Sequence, residues 1–374
     1  NNSNNTFKKF NLVNFCEIDK YASQSYCAMY NVDPTLNLGN IENVDENTIE
    51  DFNVIFGGSP CFPSGTKVYT NTGYRKIEKI KVGDKVLTHK NRFKKVTKIG
   101  STPKQKVMEI SAMGMLKTQA TPNHPFMVVS KTTKGDLSLP YFKQLGHLDK
   151  EKDYLCSPVL KYEKNPFNLT EVECYMIGRY IADGYIVDNK DYHRVEFCIG
   201  KHKLQEFKNN IKDFPHKLFY YEKVDSFAVR TTNMDFLKLC ALCGVGAKTK
   251  KIPQVFLNLP IPLLQKLLEG YMSGDGYFRK KTGVWSATSV SPNLIFTLQL
   301  AIQKCYKVGC TIMTRKMPDT IMIKHRVAHC STQYIIEFKM DYKGKSHWIY
   351  HNGMILYPIR NIKEVKKTKK VYNL

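Results

Sequence analysis

Apolar and polar positions fall into three textures along the chain. Up to residue 60 they alternate strand and helix. Phe10-Asn11-Leu12-Val13-Asn14-Phe15 is strand-like, and Lys20 to Tyr30 sets Tyr21, Ser25, Ala28 and Met29 on related helical faces. Asn53-Val54-Ile55-Phe56 is a second apolar run, halted by Gly57-Gly58. This is βαβ material, too little to close a doubly wound domain. From Thr66 to Val129 the runs are short and β-rich: Lys67-Val68-Tyr69-Thr70, Lys85-Val86-Leu87-Thr88 and Phe126-Met127-Val128-Val129. Turn residues such as Asn71-Thr72-Gly73 lie between them, which predicts a compact all-β fold. From about Asn168 helices alternate with amphipathic strands. Met176 to Tyr185 and Leu268 to Tyr277 resemble each other 92 residues apart, so a weak internal duplication is expected. Leu294, Leu298, Ile302 and Cys305, at helical spacing, make Ser286 to Gly309 a core helix. Met354 to Arg360 and Lys370 to Leu374 return to the β texture. The pattern is that of an all-β domain split by an inserted α+β domain.

Composition narrows the partners. A length of 374 residues predicts two or three domains, and 42% hydrophobic residues is a globular value. Against 33 Asp and Glu stand 57 Lys and Arg, a net +24 spread over the whole chain rather than confined to a tail. That excess points to a polyanion, nucleic acid first, with a basic surface that binds nothing as the alternative. The eleven cysteines are scattered and follow no secretory signal, so reduced thiols are expected. Cys240-x-x-Cys243 lies in an apolar stretch with no second pair, which favours buried helical thiols over a metal site. No apolar run reaches the roughly 20 residues that cross a bilayer, and Asn1 to Lys9 is polar. An intracellular protein without a membrane partner is expected.

Phe15-Cys16-Glu17-Ile18-Asp19 sets an acid just past a strand end, where doubly wound folds bind ribose hydroxyls. Gly39-Asn40-Ile41 and Gly57-Gly58-Ser59-Pro60-Cys61 follow. In this order they resemble the second, third and fourth motifs of cytosine-5 DNA methyltransferases. The resemblance implies S-adenosylmethionine as cofactor of the intact host enzyme, with Glu17 on its ribose. Asn40 stands where the family usually has Asp at the adenine contact. The cysteine of Pro-Cys would be the nucleophile that attacks carbon 6 of a flipped cytosine. The Gly-rich first motif and all later ones are absent from the sequence, so residues 1–60 are not expected to methylate DNA.

After Pro-Cys the chain reads Cys61-Phe62-Pro63-Ser64-Gly65-Thr66-Lys67-Val68, with Gly83-Asp84-Lys85-Val86-Leu87 beyond it. Thr121-Pro122-Asn123-His124-Pro125-Phe126 follows about 60 residues later. These resemble the first two blocks of inteins. A thiol one residue past the scissile carbonyl attacks it through a five-membered ring, and the amide nitrogen must be protonated to leave. His124 is the candidate acid and Thr121 the candidate donor to the oxyanion. Alone, Thr-x-x-His is an ordinary turn; the host break at the same cysteine raises it above that. The tertiary amide and fixed geometry of Pro60 bear on the rate of this first shift. Val371-Tyr372-Asn373-Leu374 resembles the start of the penultimate intein block, and the closing His-Asn pair is absent. His351-Asn352 is not that pair, because strands resembling the block come after it. A truncated sequence or a split partner is therefore expected.

Met176-Ile177-Gly178-Arg179-Tyr180-Ile181-Ala182-Asp183-Gly184 aligns without gaps on Leu268-Glu269-Gly270-Tyr271-Met272-Ser273-Gly274-Asp275-Gly276. Small pairs four apart, Gly178/Ala182 and Gly270/Gly274, share one helical face and permit close helix approach. Each helix should stop at an acid followed by Gly. Packed side by side, they bring Asp183 and Asp275 to adjacent C-terminal ends, where carboxylates and helix dipoles favour a hard divalent cation such as magnesium. The match is to double-motif LAGLIDADG homing endonucleases. It implies Asp183 and Asp275 as catalytic metal ligands, with carbonyls of Ala182 and Gly274 as further ligands. Lys250-Lys251-Ile252-Pro253 resembles the block that supplies a basic active-site residue. Lys250 or Lys251 would polarise the scissile phosphate, solvated surface lysines being the alternative. In the family, strands such as Arg194-Val195-Glu196-Phe197 and Gln333-Tyr334-Ile335-Ile336-Glu337-Phe338 form a saddle in the major groove.

The expected architecture is an all-β Hint-type splicing domain with an inserted α+β endonuclease, preceded by a partial Rossmann-like methyltransferase segment. Its divisions are residues 1–60 for the methyltransferase fragment (the N-extein), 61–160 for the first splicing part, 161–345 for the endonuclease and 346–374 for the start of the second splicing part. The expected partners are extein segments and double-stranded DNA at the intein-free methyltransferase gene, cut by a monomeric endonuclease. Two alternatives stand beside this reading. One is a catalytically silent, DNA-binding or structural insert; the other is a methyltransferase with an odd insertion and no splicing.

Overall fold

The computed structural model describes residues 11–18, 20–51, 61–133, 135–212, 214–323, 326–340 and 348–374. The chain divides into two compact units, residues 1–58 and 59–374. In the first, helix α1 (Lys20–Tyr30) forms where the helical pattern predicts it and buries Cys27. The expected strand ending at Phe15 is reduced to one parallel bridge from Phe15 to Asn37. Asn37 explains why the chain stays irregular there. Its side chain accepts from the amides of Glu17 and Gly39 and donates to the Glu17 carbonyl, taking bonds a ladder would use. Phe10, the run Asn53 to Phe56 and Gly57 to Pro60 lie outside the described residues.

The second unit opens with eleven strands: β1 (Phe62–Pro63), β2 (Lys67–Thr70), β3 (Gly73–Lys76), β4 (Lys85–Leu87), β5 (Phe93–Lys95), β6 (Gly100–Gln105), β7 (Met108–Ala112), β8 (Thr118–Ala120), β9 (Pro125–Ser130), β10 (Tyr141–Gln144) and β11 (Asp153–Pro158). A first repeat follows as α2 (Glu171–Asp183), β12 (Gly184–Asp188), β13 (His193–Gly200), α3 (Leu204–Asn210), β14 (Lys217–Tyr221) and β15 (Ser226–Thr231). Helices α4 (Met234–Leu242) and α5 (Gln254–Leu257) lead to a second repeat. It comprises α6 (Ile261–Asp275), β16 (Gly276–Arg279), β17 (Val284–Ser289), α7 (Pro292–Tyr306), β18 (Cys310–Arg315), the hairpin β19 (Thr320–Ile323) and β20 (Arg326–His329), and β21 (Gln333–Phe338). The chain closes with β22 (Ile349–His351), β23 (Met354–Glu364) and β24 (Lys369–Asn373).

Sheet order makes the duplication explicit. The first repeat pairs as β12-β13-β15-β14 and the second as β16-β17-β21-β18, antiparallel throughout, with the same spatial order relative to chain order. The last strands return to the first ones. β23 lies between β11 and β7, and β24 lies between β1 and β6. A segment of about 190 residues therefore leaves and rejoins the β-rich part, whose remaining sheet is β3-β2-β4-β5. The core helix expected over Ser286 to Gly309 begins later, at Pro292, and buries Leu294, Leu298 and Ile302. Ser286 to Ser289 belong to β17, because Ser291 caps the helix and Pro292 occupies its first turn. Cys240 and Cys243 are fully buried thiols at the end of α4. His351 and Asn352 belong to a hairpin turn between β22 and β23, with Asn352 and Gly353 both at positive φ. No helix among the described residues is long and apolar enough to cross a membrane.

Candidate active centres

Two constellations stand apart in this unit. The first lies between α2 and α6. A capping box of Thr170 and Glu173 starts α2. The two helices then touch backbone to backbone. A Cβ added at Gly178 would sit 2.0 Å from the Leu267 carbonyl oxygen, and one at Gly270 would sit 2.0 Å from that of Tyr175. One at Gly274 would lie 2.5 Å from the Ala182 Cβ. Only glycine permits this contact, and it sets Ala182 against Gly274, one residue before each acid. Gly184 and Gly276 end the helices at φ −81° and −80°, in the extended region. Each helix thus stops at the acid and Gly as expected, and the glycine meets a steric demand rather than a left-handed turn. A Cβ at Gly184 would lie 2.6 Å from the Tyr180 Cα, and one at Gly276 would lie 2.3 Å from the Met272 carbonyl oxygen, where each helix turns directly into a strand.

The acids this places together are not equivalent. Asp183 is half-buried; its Oδ2 accepts from Arg179 Nη2 at 2.6 Å, while Oδ1 is buried with no hydrogen-bond partner among the described residues. Burial pushes the Asp183 carboxyl above its usual range, against the pull of Arg179, Lys203 and Lys250. Asp275 is open to solvent on one side, yet desolvation by its neighbours and then repulsion from Asp183 push it up to about 6. Lys250 is buried beneath the pair. Its Nζ donates to the carbonyls of Tyr180 and of Gly184, the latter at 3.0 Å, at the negative end of α2. Burial pulls its amine down to about 8, although Cys243, Cys240, Asp183 and Asp275 all favour the charged form. Lys251 goes elsewhere, its Nζ donating to the Thr72 carbonyl at 2.8 Å.

Two side chains at this centre were not singled out by the sequence. Arg179 is almost wholly buried and reaches across towards Ser273, and its i,i+4 spacing to Asp183 was the available signal. Lys203 donates to the Ser273 carbonyl at 2.8 Å from a segment with no local motif. Among the described residues no cluster of three or more His, Cys, Asp or Glu could hold a metal. A buried carboxylate oxygen without a hydrogen-bond partner among the described residues, beside a second carboxylate at the ends of two helices, still suits a hard divalent cation.

The second constellation surrounds Cys61, buried with Val107 and Val371. The Thr121 hydroxyl accepts from the Cys61 amide at 3.0 Å, and the Thr121 amide donates to the Cys61 carbonyl at 3.0 Å. Thr121 thus touches the nitrogen of the Pro60–Cys61 bond, while the Pro60 carbonyl, where an oxyanion donor was expected, lies outside the described residues. His124 follows in a tight turn, its amide donating to the Thr121 carbonyl at 3.0 Å, and its ring lies 4.0 Å from that of Phe62, tilted by 53°. β24 pairs Tyr372 with Phe62 and Val371 with Pro63, so the last described strand braces the residues after Cys61. Glu17 and Asn40 fall in the other unit.

Residues 60–118 match the family model of the Hint domain, and residues 3–65 match that of the C-5 cytosine-specific DNA methylase. Over 68 residues the chain is 43% identical to an orphan methyltransferase of Bacillus phage rho11s, covering 18% of this chain and 12% of that protein. Against an ATP-dependent DNA helicase of Thermococcus kodakarensis it is 23% identical over 389 residues, covering 84% of this chain and 34% of the helicase. The chain thus spans only a small part of the length of the curated relatives it matches. A partial structural likeness links 46% of this chain to 83% of I-DmoI in complex with DNA and calcium, at 11% identity and a TM-score of 0.31. The two family matches set a Hint domain directly after a cytosine-5 DNA methylase segment, overlapping at residues 60–65.

Proposed function

We propose that this chain interrupts a cytosine-5 DNA methyltransferase as an intein, splicing itself out from Cys61 and cutting duplex DNA at the Asp183/Asp275 centre. The observation that carries the second activity is the glycine-packed helix pair. It brings two carboxylates from repeats 92 residues apart to one end, beside the buried Lys250. Asp183, Asp275 and the carbonyls of Ala182 and Gly274 would hold the cation, magnesium being the natural choice. When bound it would stabilise the charge that develops on a phosphodiester during in-line displacement. Two N–H groups of Lys250 go to carbonyls and the amine lies 3.1 Å from the centre of the Tyr180 ring, so its charge, rather than a free N–H, would act on the phosphate.

At the other centre the Cys61 sulfur would attack the Pro60 carbonyl carbon. A carbon–sulfur bond forms, the carbon–nitrogen bond to Cys61 breaks, and the thiol proton ends on the departing nitrogen. Thr121 orients that nitrogen, and His124 is the acid that delivers the proton. The methyltransferase, with S-adenosylmethionine, would be active only once the host segments are joined.

The test is cutting of a duplex spanning the intein-free methyltransferase site in magnesium, with Asp183→Asn as control. Cutting by the unaltered chain alone supports the reading. Intact DNA despite a retained gel shift would leave a bound, silent insert. Release of residues 1–60 by added thiol, lost in Cys61→Ala, tests the splicing step independently.

A further inference from the structure

The charge excess is less evenly spread than it first looks. Residues 67–106 hold thirteen Lys and Arg against two acids, a net +11 of the chain's +24 within about a tenth of its length. Twelve of the thirteen are exposed, and none of those twelve forms an ion pair among the described residues. The two acids are already engaged. Asp84 pairs with Arg75 at 2.9 Å, and Glu78 accepts from the Gly65 amide at 2.8 Å. Lysines even face lysines: Lys67 lies directly opposite Lys76 in β2–β3, and Lys85 directly opposite Lys95 in β4–β5. Like charges so placed destabilise a sheet, and apart from Glu78, which lies in the field of Lys76, no acid among the described residues offsets them.

Their placement says what would. By strand alternation Lys67, Lys76, Lys85 and Lys95 share a face with Tyr69, Tyr74, Leu87 and Phe93, each lysine two positions from an apolar neighbour. Those apolar residues form the seam with the repeats. Tyr74 packs 4.9 Å from Phe296 of α7, and the Tyr69 hydroxyl donates to Gln254 at 2.8 Å. At one end of this sheet the Thr72 carbonyl holds Lys251, the residue after the Lys250 that lies under the two acids. The lysine pairs therefore flank the seam within the same compact unit as the cutting centre.

We infer that the sheet β3-β2-β4-β5 is a second DNA-binding surface, which grips the phosphate backbone of the same duplex beyond the bases at the cut. This rests on the endonuclease reading for the identity of the duplex. The chemistry required is only phosphate: flexible, exposed ammonium groups on a sheet face carry no sequence information and release counterions on binding.

The experiment uses the full chain carrying Lys67→Gln, Lys76→Gln, Lys85→Gln and Lys95→Gln together. Binding to the intein-free site is measured in calcium, without cutting, over a range of potassium chloride, with a backbone footprint alongside. The expected results are a fall of about 2–4 in the slope of log affinity against log salt, at ~0.9 per phosphate contact, and a footprint shortened on one flank. The midpoint of thermal unfolding should hold or rise, since opposed like charges have been removed. An unchanged slope and footprint overturn the inference. So does a slope that falls equally on random duplex with the site footprint intact, which would mark a surface for other nucleic acid. Target binding without cutting refutes the endonuclease reading alone; absence of any duplex binding refutes both.

Discussion

At the residue scale the informative feature is inequality between the two acids. The repeats align Arg179 with Tyr271, so only Asp183 has a guanidinium hydrogen-bonded to it. Burial first, and then the field of Asp183, push the Asp275 carboxyl up to about 6, with Arg179 only partly opposing them. A proton and a cation then compete for the same group. Because the acid must be ionised to hold the cation, cation affinity should be lost as pH falls through about 6 and be regained above it. Manganese titration followed by calorimetry at pH 5 and pH 7.5 checks this, and equal affinity at the two values would contradict it. The neighbouring lysines divide in the same way. Lys250→Gln should lower the cutting rate by about 10²–10³, the usual effect of removing one charge-stabilising donor, with DNA affinity kept. Lys251→Gln, whose side chain serves the Thr72 carbonyl, should leave the rate within about threefold. The sequence set the two lysines side by side as equal candidates; burial and direction separate them.

At the element scale, the helix pair depends on contacts that no propensity describes. Gly178 and Gly270 sit inside helices, where glycine costs about 1 kcal/mol relative to alanine. By local preference alone, replacing them should stabilise α2 and α6. The packing reverses that sign, because a methyl at Gly178 would lie 2.0 Å from a backbone oxygen that cannot move aside without parting the helices. Gly178→Ala should cost about 3 kcal/mol or more, as overpacking of a close contact does. The urea midpoint measures it, and a stabilised variant would show that the helices do not approach as described. The repeat itself was legible from small residues four apart and an acid at each end. The extended geometry of Gly184 and Gly276 was not, since an acid followed by glycine reads equally well as a left-handed cap. The first part of α7 was overdrawn for a related reason: Ser286 to Ser289 fit a helical pattern as well as a strand until a partner strand is known.

At the scale of the whole molecule, the β-rich part is completed by strands about 300 residues apart. Val371 lies in the same small core as Cys61 and Val107, so the far end of the chain helps to set the nucleophile. Val371→Asp should abolish thiol-induced release at Cys61 while leaving DNA cutting intact, because the helix pair has its own core. Loss of both activities would instead indicate global unfolding, visible as a lost cooperative transition. What the sequence by itself determined is the chemistry that recurs in order: a cysteine after Pro60, Thr121 and His124, two glycine-and-acid helices, and a strong positive charge. These are legible because residue type and spacing carry them. Only the tertiary structure decided which lysine lies beneath the acids, that Arg179 pairs with one acid and not the other, that Thr121 meets the Cys61 nitrogen, and that four lysines line the seam in opposed pairs. Each of these depends on where separate segments meet in space, and a linear pattern fixes the face of an element without fixing what packs against it.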